Sequence, residues 1–166
     1  VTECRPVALR KVAEAAIRVV KQHPDCGAGV RISLEGTQTP MEGDEDLLHR
    51  VVLNLVLNAV QAAGTRAHVM VRTGRAPHNE LPGGAGIDNP VALRVIDNGP
   101  GIPDELQQRL FEPFATGRVG GTGLGLAIVQ RAVEAHRGLV LVDSEAGKGT
   151  TFTIYFPAAR RKEEAA

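Results

Sequence analysis

Aromatic side chains and net charge are the two features that this sequence lacks most clearly. Tryptophan is absent, and one tyrosine and four phenylalanines bring the aromatic share to 3%. Nineteen basic residues balance nineteen acidic ones, so the formal net charge is zero. A domain that binds nucleic acid or anionic lipid typically shows a positive field, and a base-binding surface needs stacking aromatics. We therefore predict no nucleic-acid partner and no direct membrane contact.

Cysteines and long apolar runs are scarce as well. Cys4 and Cys26 are too few for a disulfide scaffold and lack the spacing of a metal site, which favours a reducing, cytoplasmic compartment. We expect no apolar run to approach the roughly 20 residues that cross a bilayer, and no signal peptide opens the chain. Because the chain begins at Val1 without a methionine, it reads as a piece of a longer protein, whose other parts could be membrane-anchored.

The length of 166 residues and the apolar content of 43% predict one domain with a substantial core. We expect this domain to span 1–157 and the tail 158–166 to fray. Segment 74–90, rich in Gly, Pro and Asn, is predicted to be a long, mobile hairpin loop. Hydrophobic periodicity predicts helices over 6–22 (with Pro6 in the first turn), 44–63, 103–110 and 123–136, and strands over 30–35, 67–73, 91–97, 139–144 and 150–156.

This order of elements predicts the fold class. Strands linked mostly as hairpins and interspersed with helices are typical of an α+β fold. We expect a two-layer sandwich, with the helices on one face of a mixed sheet.

Asn54 and Asn58 stand four residues apart in an apolar stretch, so they share one face of a predicted helix. Buried amides need hydrogen-bond partners, and neighbouring backbone groups could satisfy them. The functional alternative is a pair of amide oxygens that ligate Mg²⁺ and contact phosphate. Because Mg²⁺ prefers oxygen ligands and keeps several waters, one amide together with phosphate oxygens suffices to hold it.

Asp97 ends a predicted strand and is followed by the sequence Asn-Gly-Pro-Gly. An aspartate in this position is often only a turn former. The functional alternative is a carboxylate that accepts a hydrogen bond from the amino group of adenine, with Gly99 and Gly101 letting the backbone approach the base. Such a carboxylate would select adenine, because it cannot accept a hydrogen bond from the carbonyl group of guanine.

Gly121, Gly123 and Gly125 lead into a predicted helix, whose free N–H groups and dipole favour an anion. A flexible glycine-rich connection is the structural alternative. Gly125 costs about 1 kcal/mol relative to alanine inside the first turn, which close approach of a phosphate would explain. The motif is not a dinucleotide fingerprint, because no strand precedes it, nor a P-loop, because Lys148 is followed by Gly149.

Five motifs occur here in an order that resembles the ATP-binding catalytic domain of bacterial sensor histidine kinases, in the wider group with gyrase, Hsp90 and MutL. They are an N box at 54–58, a G1 box at 95–103, an F box at 110–114, a G2 box at 121–126 and a last glycine box at 147–152. The resemblance covers residues 6–157. It implies the Bergerat fold, with about five mostly antiparallel strands covered by three helices, and a protein-histidine kinase that uses Mg²⁺ and ATP.

The resemblance also implies a role for each site residue. Asn58 would be the Mg²⁺ ligand, Asn54 would support phosphate and metal, and Asp97 would read adenine. Residues 102–121 would be the ATP lid, in which Arg118 either meets the terminal phosphate or is a solvated charge. The implied nucleotide-binding set is completed by Thr150, which would contact adenine through water, and by Gly99, Gly101, Ile102, Phe114, Gly121, Thr122, Gly123, Leu124, Gly125 and Leu126.

Two residues, Gln61 and Ala62, depart from the family pattern, and a third, Asn54, separates this chain from the related ATPases. Gln61 and Ala62 stand where many members have a lysine and an aromatic residue, an arrangement that resembles the nitrogen-regulation-type kinases. Asn54 stands where the gyrase- and Hsp90-type enzymes have a glutamate that activates water, so hydrolysis by this chain is expected to be slow. A self-contained ATPase of that type, or a nucleotide-sensing or docking domain without kinase turnover, remains the alternative.

The five histidines lie outside the His-Glu/Asp-x-x-x-Pro pattern of the family's phosphoacceptor helix. The resemblance therefore implies partners beyond these residues. One is the kinase's own dimerisation and phosphoacceptor domain, and the other is a cognate response regulator. The parent protein is expected to be a homodimer.

Overall fold

This computed structural model describes residues 4–83, 86–87, 89–112 and 125–158. Within these residues the chain forms seven strands and four helices. The strands are β1 (Arg5–Ala8), β2 (Arg31–Gly36), β3 (Pro40–Gly43), β4 (His68–Arg75), β5 (Pro90–Asp97), β6 (Leu139–Glu145) and β7 (Gly149–Pro157). The helices are α1 (Leu9–Lys21), α2 (Glu45–Ala63), α3 (Asp104–Gln107) and α4 (Gly125–Ala135). Two 3₁₀ turns span Gly64–Arg66 and His78–Glu80.

A five-stranded sheet forms one layer of the fold. Its strands lie in the order β2, β4, β5, β7, β6, and each neighbouring pair is antiparallel except β2 and β4. The prediction of a mixed, mostly antiparallel sheet of about five strands is confirmed. β5 lies in the middle of the sheet, and its last residue, Asp97, is paired with Thr150 of β7.

Three helices, α1, α2 and α4, form the second layer on one face of this sheet, which confirms the predicted α+β sandwich. α2 lies between α1 and α4 and also contacts β4 and β5. Apolar residues recur three or four positions apart along α2, and its core stripe includes Val52 and Leu55, both fully buried. Alternate strand residues such as Leu93 meet this stripe from the sheet. Burial of this apolar surface is the main favourable contribution to folding.

The α2 helix corrects one expectation from the sequence. With the turn that follows it, the segment Glu45–Arg66 is long and apolar enough to cross a membrane by length and composition, although no such segment was expected. In the folded chain its apolar stripe, from Leu48 to Val60, packs into the core against the sheet and the other helices. A central core helix and a membrane helix share this composition because both are surrounded by apolar groups.

The two shortest strands, β1 and β3, are missing from the sequence prediction. They pair with each other in a separate antiparallel sheet, with Val7 opposite Met41. The expectation that Pro6 lies in the first turn of a helix over 6–22 is wrong, because Pro6 lies in β1 and α1 begins at Leu9. Four residues are too few to show a period, and this strand forms only because a distant segment pairs with it.

Most other predicted elements are found within a few residues of their expected bounds. The predicted helix over 103–110 is much shorter, because only Asp104–Gln107 is helical and turns follow it. Helix α4 is described from Gly125, so the predicted start at 123 lies outside the described residues, as does the tail 159–166.

The connection between β4 and β5 differs from the predicted mobile loop over 74–90. The strands extend as far as Arg75 and from Pro90, so the connection is shorter. Its Ile87 is buried with Ala92 and Tyr155 in a small cluster separate from the main core. This packing ties the described part of the connection to the sheet.

Polar contacts also hold the β4–β5 connection against the sheet. The hydroxyl group of Tyr155 donates to Oε2 of Glu80 at 2.8 Å, and the guanidinium of Arg94 pairs with the same carboxylate. The hydrogen bond from Arg94 is the main cause that lowers the pKa of Glu80 below its ordinary value. The connection is therefore held by both apolar packing and charge pairing, which sequence composition alone does not reveal.

Candidate functional site

The carboxylate of Asp97 is buried at the end of the central strand β5, with 8% of the residue exposed. Its Oδ1 accepts the backbone N–H of Gly99 at 2.8 Å, so the turn-forming role is real. Burial raises the pKa of this carboxyl above its ordinary value, while hydrogen bonds from the backbone N–H groups of Gly99 and Thr150 act in the opposite direction. Because a carboxylate has about four acceptor sites, it retains capacity for a ligand N–H group.

Close packing of the backbone explains the glycines around this carboxylate. Gly101 has φ +82°, and a Cβ there would lie 2.5 Å from the carbonyl oxygen of Glu145. Gly149 has φ +91°, and a Cβ there would lie 2.1 Å from the carbonyl oxygen of Asp97. These positions favour glycine because of their left-handed conformation and their protein neighbours. Gly101 and Gly149 thus bring the β6–β7 turn against the segment that follows β5.

A chain of hydroxyl and amide groups lies beside Asp97. Ser144 and Thr150 are paired across β6 and β7, and their side-chain oxygens are 2.9 Å apart. Ser144 Oγ accepts the backbone N–H of Ile102 at 2.8 Å, and Gln107 Nε2 donates to the carbonyl oxygen of Ile102 at 2.8 Å. Ser144 and Gln107 were not predicted as site residues. The only signal for Ser144 was its place opposite Thr150 across a predicted hairpin.

Asn54 and Asn58 lie on α2 at the margin of its buried stripe and are partly exposed. Both asparagines are thus less buried than the apolar stretch around them suggests, because neighbours such as Leu55 and Ala59 take the core positions. Asn54 Nδ2 donates to the carbonyl oxygen of Arg50 at 2.8 Å. The helix thus presents two amide groups at the edge of the core, where a polar ligand can reach them.

The start of α4 lies directly beside Asn54. A Cβ on Gly125 would be 3.1 Å from Asn54 Oδ1, a contact that leaves little room for a larger residue. Leu126, predicted within the nucleotide-binding set, is buried in the hydrophobic core and packs the first turn of α4. The structure therefore brings Asn54 next to Gly125, the first described residue of α4, and the N-terminus of a helix favours an anion.

The remaining predicted residues lie outside the described part of the chain. They are Phe114, Arg118, Gly121, Thr122, Gly123 and Leu124. The described root of the predicted lid, 102–112, packs against the body of the domain. Ile102 contacts the core, and the ring of Phe111 meets that of Phe152 edge-on at 6.3 Å between centroids.

The two departures from the family pattern have different surroundings. Gln61 Nε2 donates to Oδ2 of Asp25, in the connection after α1, at 2.8 Å. Ala62 is exposed. Neither a basic nor an aromatic side chain therefore extends from these two positions of α2.

The described residues contain no group of three or more histidine, cysteine, aspartate or glutamate side chains that could hold a metal ion. The expected Mg²⁺ does not require such a group. One amide oxygen, phosphate oxygens and water form a suitable ligand set for this ion.

The sandwich and its site define a class of protein, the nucleotide-binding domains built on a Bergerat-type fold. In this chain an acidic residue, Asp97, ends the central strand β5, and two asparagines lie on the core helix α2. The model of the family described as histidine kinase-, DNA gyrase B-, and HSP90-like ATPase matches residues 43–160. The chain belongs to this family.

Within this family, the curated proteins that the chain resembles are named as histidine kinases. The sensory histidine kinase/phosphatase NtrB of Rhodobacter capsulatus is 36% identical, and the match covers 96% of this chain and 45% of NtrB. The signal transduction histidine-protein kinase AtoS of Escherichia coli is 39% identical over 124 residues, which are 75% of this chain and 19% of AtoS. The chain thus spans less than half the length of these curated relatives.

Solved structures agree with this assignment. The mycobacterial sensor histidine kinase MprB has a TM-score of 0.78 and 28% identity, covering 96% of this chain and 100% of that chain. Full-length ShkA in complex with AMPPNP has a TM-score of 0.78 and 27% identity, covering 96% of this chain and 32% of that one. The predicted resemblance to histidine kinase catalytic domains is confirmed.

Proposed function

We propose that this chain binds Mg²⁺-ATP and donates the γ-phosphate to a histidine on a separate dimerisation and phosphoacceptor domain of a two-component sensor kinase. The observation that supports this most is the buried Asp97 carboxylate at the end of β5, beside Thr150. The relatives NtrB and AtoS are named as histidine kinases, and ShkA was solved with AMPPNP, an ATP analogue. The catalytic domain is proposed to comprise residues 1–157.

The base would be held at the sheet end of the site. Asp97 would accept an N–H of the 6-amino group of adenine, and Thr150 would contact the base through water. Two acceptor sites of Asp97 are occupied by backbone N–H groups, which orient the carboxylate before a ligand arrives. Such preorganisation reduces the cost of binding. Gly99, Gly101 and Ile102 would line the same side.

The phosphates would lie toward the helices α2 and α4. Asn58 would ligate Mg²⁺ through its amide oxygen and Asn54 would support the phosphates, near the first turn of α4 at Gly125. The ion, when bound, would neutralise charge on the phosphate oxygens. Arg118 is proposed to meet the terminal phosphate. Because Gln61 stands where, by the family resemblance, a lysine would be expected, neutralisation would depend more on Arg118, the ion and the helix dipole.

The chemistry of Asn54 favours phosphoryl transfer over hydrolysis. A neutral amide cannot remove a proton from water at neutral pH, so this position lacks the base of the gyrase- and Hsp90-type enzymes. Transfer to a histidine depends mostly on positioning and charge stabilisation. The partner domain would therefore supply the nucleophile in line with the γ-phosphate.

The partners and location follow from the same proposal. The phosphoacceptor domain, a cognate response regulator and a homodimeric, cytoplasmic kinase core are proposed, whether or not the parent protein is anchored in a membrane. Among the histidines of this chain, His136 is buried and bonded within the fold, so it is not placed to accept phosphate.

Incubation with γ-labelled ATP tests the proposal. The chain alone is expected to remain unlabelled, and addition of the separately produced phosphoacceptor domain of its parent protein is expected to yield acid-labile phosphohistidine on that domain. The Asn58→Ala variant is the matched control and should give little label. Label on this chain alone would favour a self-contained kinase, and ATP binding without transfer would favour a nucleotide-sensing or docking domain.

A further inference from the structure

We propose that Ser144 is a positioning residue that determines base specificity, because it orients the hydroxyl group of Thr150 as a donor toward the N1 edge of adenine. The same side chain holds the backbone of Ile102, at the root of the predicted lid. This inference rests on the proposed adenine site and names the recognition of a second atom of the base.

The three polar side chains lie in one row across three strands. Asp97 of β5 is paired with Thr150 of β7, which in turn is paired with Ser144 of β6. Paired residues of antiparallel strands point to the same face of a sheet, so their side chains are neighbours. The 2.9 Å distance between Ser144 Oγ and Thr150 Oγ1 is the direct result.

Each hydroxyl group has a single proton, so the direction of the hydrogen bond from Ser144 determines whether Thr150 can donate to a ligand. A hydroxyl group has one proton and two lone pairs, and the N–H of Ile102 occupies one lone pair of Ser144 at 2.8 Å. If Ser144 donates to Thr150, the proton of Thr150 is free for a ligand. If Ser144 donates instead to the carbonyl oxygen of Gly149, Thr150 must donate to Ser144 and offers only lone pairs to a ligand.

The distances favour the first arrangement. Ser144 Oγ is 2.9 Å from Thr150 Oγ1 but 3.3 Å from the carbonyl oxygen of Gly149, which is beyond the usual range for an O–H···O bond. Thr150 is 6% exposed, so bulk water does not readily replace its partners. The row then presents an acceptor at Asp97 next to a donor at Thr150.

An acceptor at Asp97 next to a donor at Thr150 is complementary to the amino group and N1 of adenine. The base carries an amino donor at C6 and an unprotonated acceptor at N1, whereas hypoxanthine and guanine carry a carbonyl oxygen and an N–H at these places. Asp97 alone would read only the amino group. With Ser144 fixing the hydroxyl proton, Thr150 would donate to N1 directly or through one water.

Gln107 provides a matched control for this role. Its Nε2 donates to the carbonyl oxygen of Ile102 at 2.8 Å, so it fixes the same backbone residue as Ser144 does. Among the described hydrogen bonds it also reaches the backbone carbonyl oxygen of Ser144 at 3.4 Å, but neither the Ser144 nor the Thr150 hydroxyl. A change at Gln107 therefore disturbs the root of the lid and leaves the hydroxyl pair in place.

Calorimetric binding of ADP and of 1-deaza-ADP, in which a C–H group replaces N1, tests the proposal. Both ligands keep the 6-amino group, so their contacts with Asp97 are the same. We expect the wild-type chain to prefer ADP by about five- to tenfold, the usual effect of one hydrogen bond. Ser144→Ala should lower this preference, because the hydroxyl proton of Thr150 is then no longer held toward the ligand, while Ser144→Thr, which retains the hydroxyl, should preserve it. Gln107→Ala should change both affinities alike.

A double variant distinguishes an effect of Ser144 through the Thr150 hydroxyl from a general disturbance of the site. Thr150→Val, which lacks the donor altogether, should remove the preference, and adding Ser144→Ala to it should cause no further change in the ratio of the two affinities. The inference is overturned if wild type shows no preference, if Ser144→Ala keeps it, or if Ser144 still alters the ratio without the Thr150 hydroxyl. Failure of folded wild-type protein to bind ADP would instead refute the proposed function itself. Thermal unfolding of each variant establishes that it is folded.

Discussion

Asp97 combines two properties that oppose each other at the level of a single residue. Burial disfavours its charge and raises the pKa of its carboxyl, yet the proposed contact with adenine requires the ionised form. The backbone N–H groups of Gly99 and Thr150 partly compensate. A carboxylate held in this way is a typical functional group, whose charge lowers the stability of the fold in exchange for a ligand contact.

The substitution Asp97→Asn should separate these two effects. We expect ADP affinity to fall by about 1.5–3 kcal/mol, because a charged hydrogen bond is lost. An acid whose pKa is raised by folding destabilises the fold when ionised, and this cost disappears as pH falls through the raised pKa. At neutral pH the variant should therefore unfold at the same temperature as wild type or higher. Calorimetry and thermal unfolding check both, and unchanged ADP affinity would remove Asp97 from the site.

Asn58 is predicted to act only on the part of ATP affinity that depends on Mg²⁺. Its amide lies at the margin of the core, so Asn58→Ala should leave the domain folded. ATP titrations with Mg²⁺ and with a chelator should differ in wild type and coincide in the variant, because the proposed metal ligand is missing. Asn54→Ala provides a neighbouring comparison on the same helix face. If the Mg²⁺ dependence of Asn58→Ala equals that of wild type, the assignment is wrong.

At the level of elements, hydrogen bonds of His136 connect the helices α2 and α4, which carry the proposed phosphate site. His136, just after α4, accepts the backbone N–H of Asp44 at Nε2 over 2.9 Å, and its Nδ1 lies 2.7 Å from the carbonyl oxygen of Ala132. These contacts assign the ring proton to Nδ1. Asp44 caps α2, since its Oδ1 accepts the N–H of Leu47. The end of α4 is thereby joined to the start of α2.

Loss of this junction should destabilise the domain. His136→Leu keeps an apolar side chain beside Phe156 but leaves the N–H of Asp44 without its acceptor, which should cost about 1–3 kcal/mol in free energy of unfolding. His136→Gln offers a carbonyl oxygen in place of Nε2 and should cost less. Urea unfolding measures the difference. Equal stability of wild type and His136→Leu would show that water replaces the histidine.

For the whole molecule, the candidate site is built from segments that are distant in the sequence. Asp97 and Thr150 belong to the sheet, whereas Asn54 and Gly125 belong to two helices of the other layer. The match with relatives covers less than half of their length. Under the proposed function, the phosphoacceptor histidine lies on a separate domain.

Hydrolysis by this chain alone is predicted to be slow. Without a base at Asn54, turnover should lie far below the roughly 1–100 s⁻¹ at which kinases transfer phosphate. Continuous detection of released phosphate at saturating Mg²⁺-ATP measures the rate, and ADP binding by the same sample establishes that the site is intact. Rapid release without a partner domain would contradict the proposed function and favour a self-contained ATPase.

Much of the fold and the outline of the site follow from the sequence by itself. Periodic apolar positions predict α1, α2 and most strands because each element must bury one face in the core. Local motifs mark Asp97, Asn54 and Asn58 as candidate site residues, because spacing on a helix or at a strand end is fixed by backbone geometry.

Only the tertiary structure decided what depends on contacts between distant segments. β1 and β3 form by pairing with each other, and the β4–β5 connection is anchored by Tyr155, far along the chain. Ser144, Gln107 and His136 gain their roles through hydrogen bonds to residues outside their own elements. Such bonds leave no periodic trace in the sequence, because their geometry exists only once the two layers have packed.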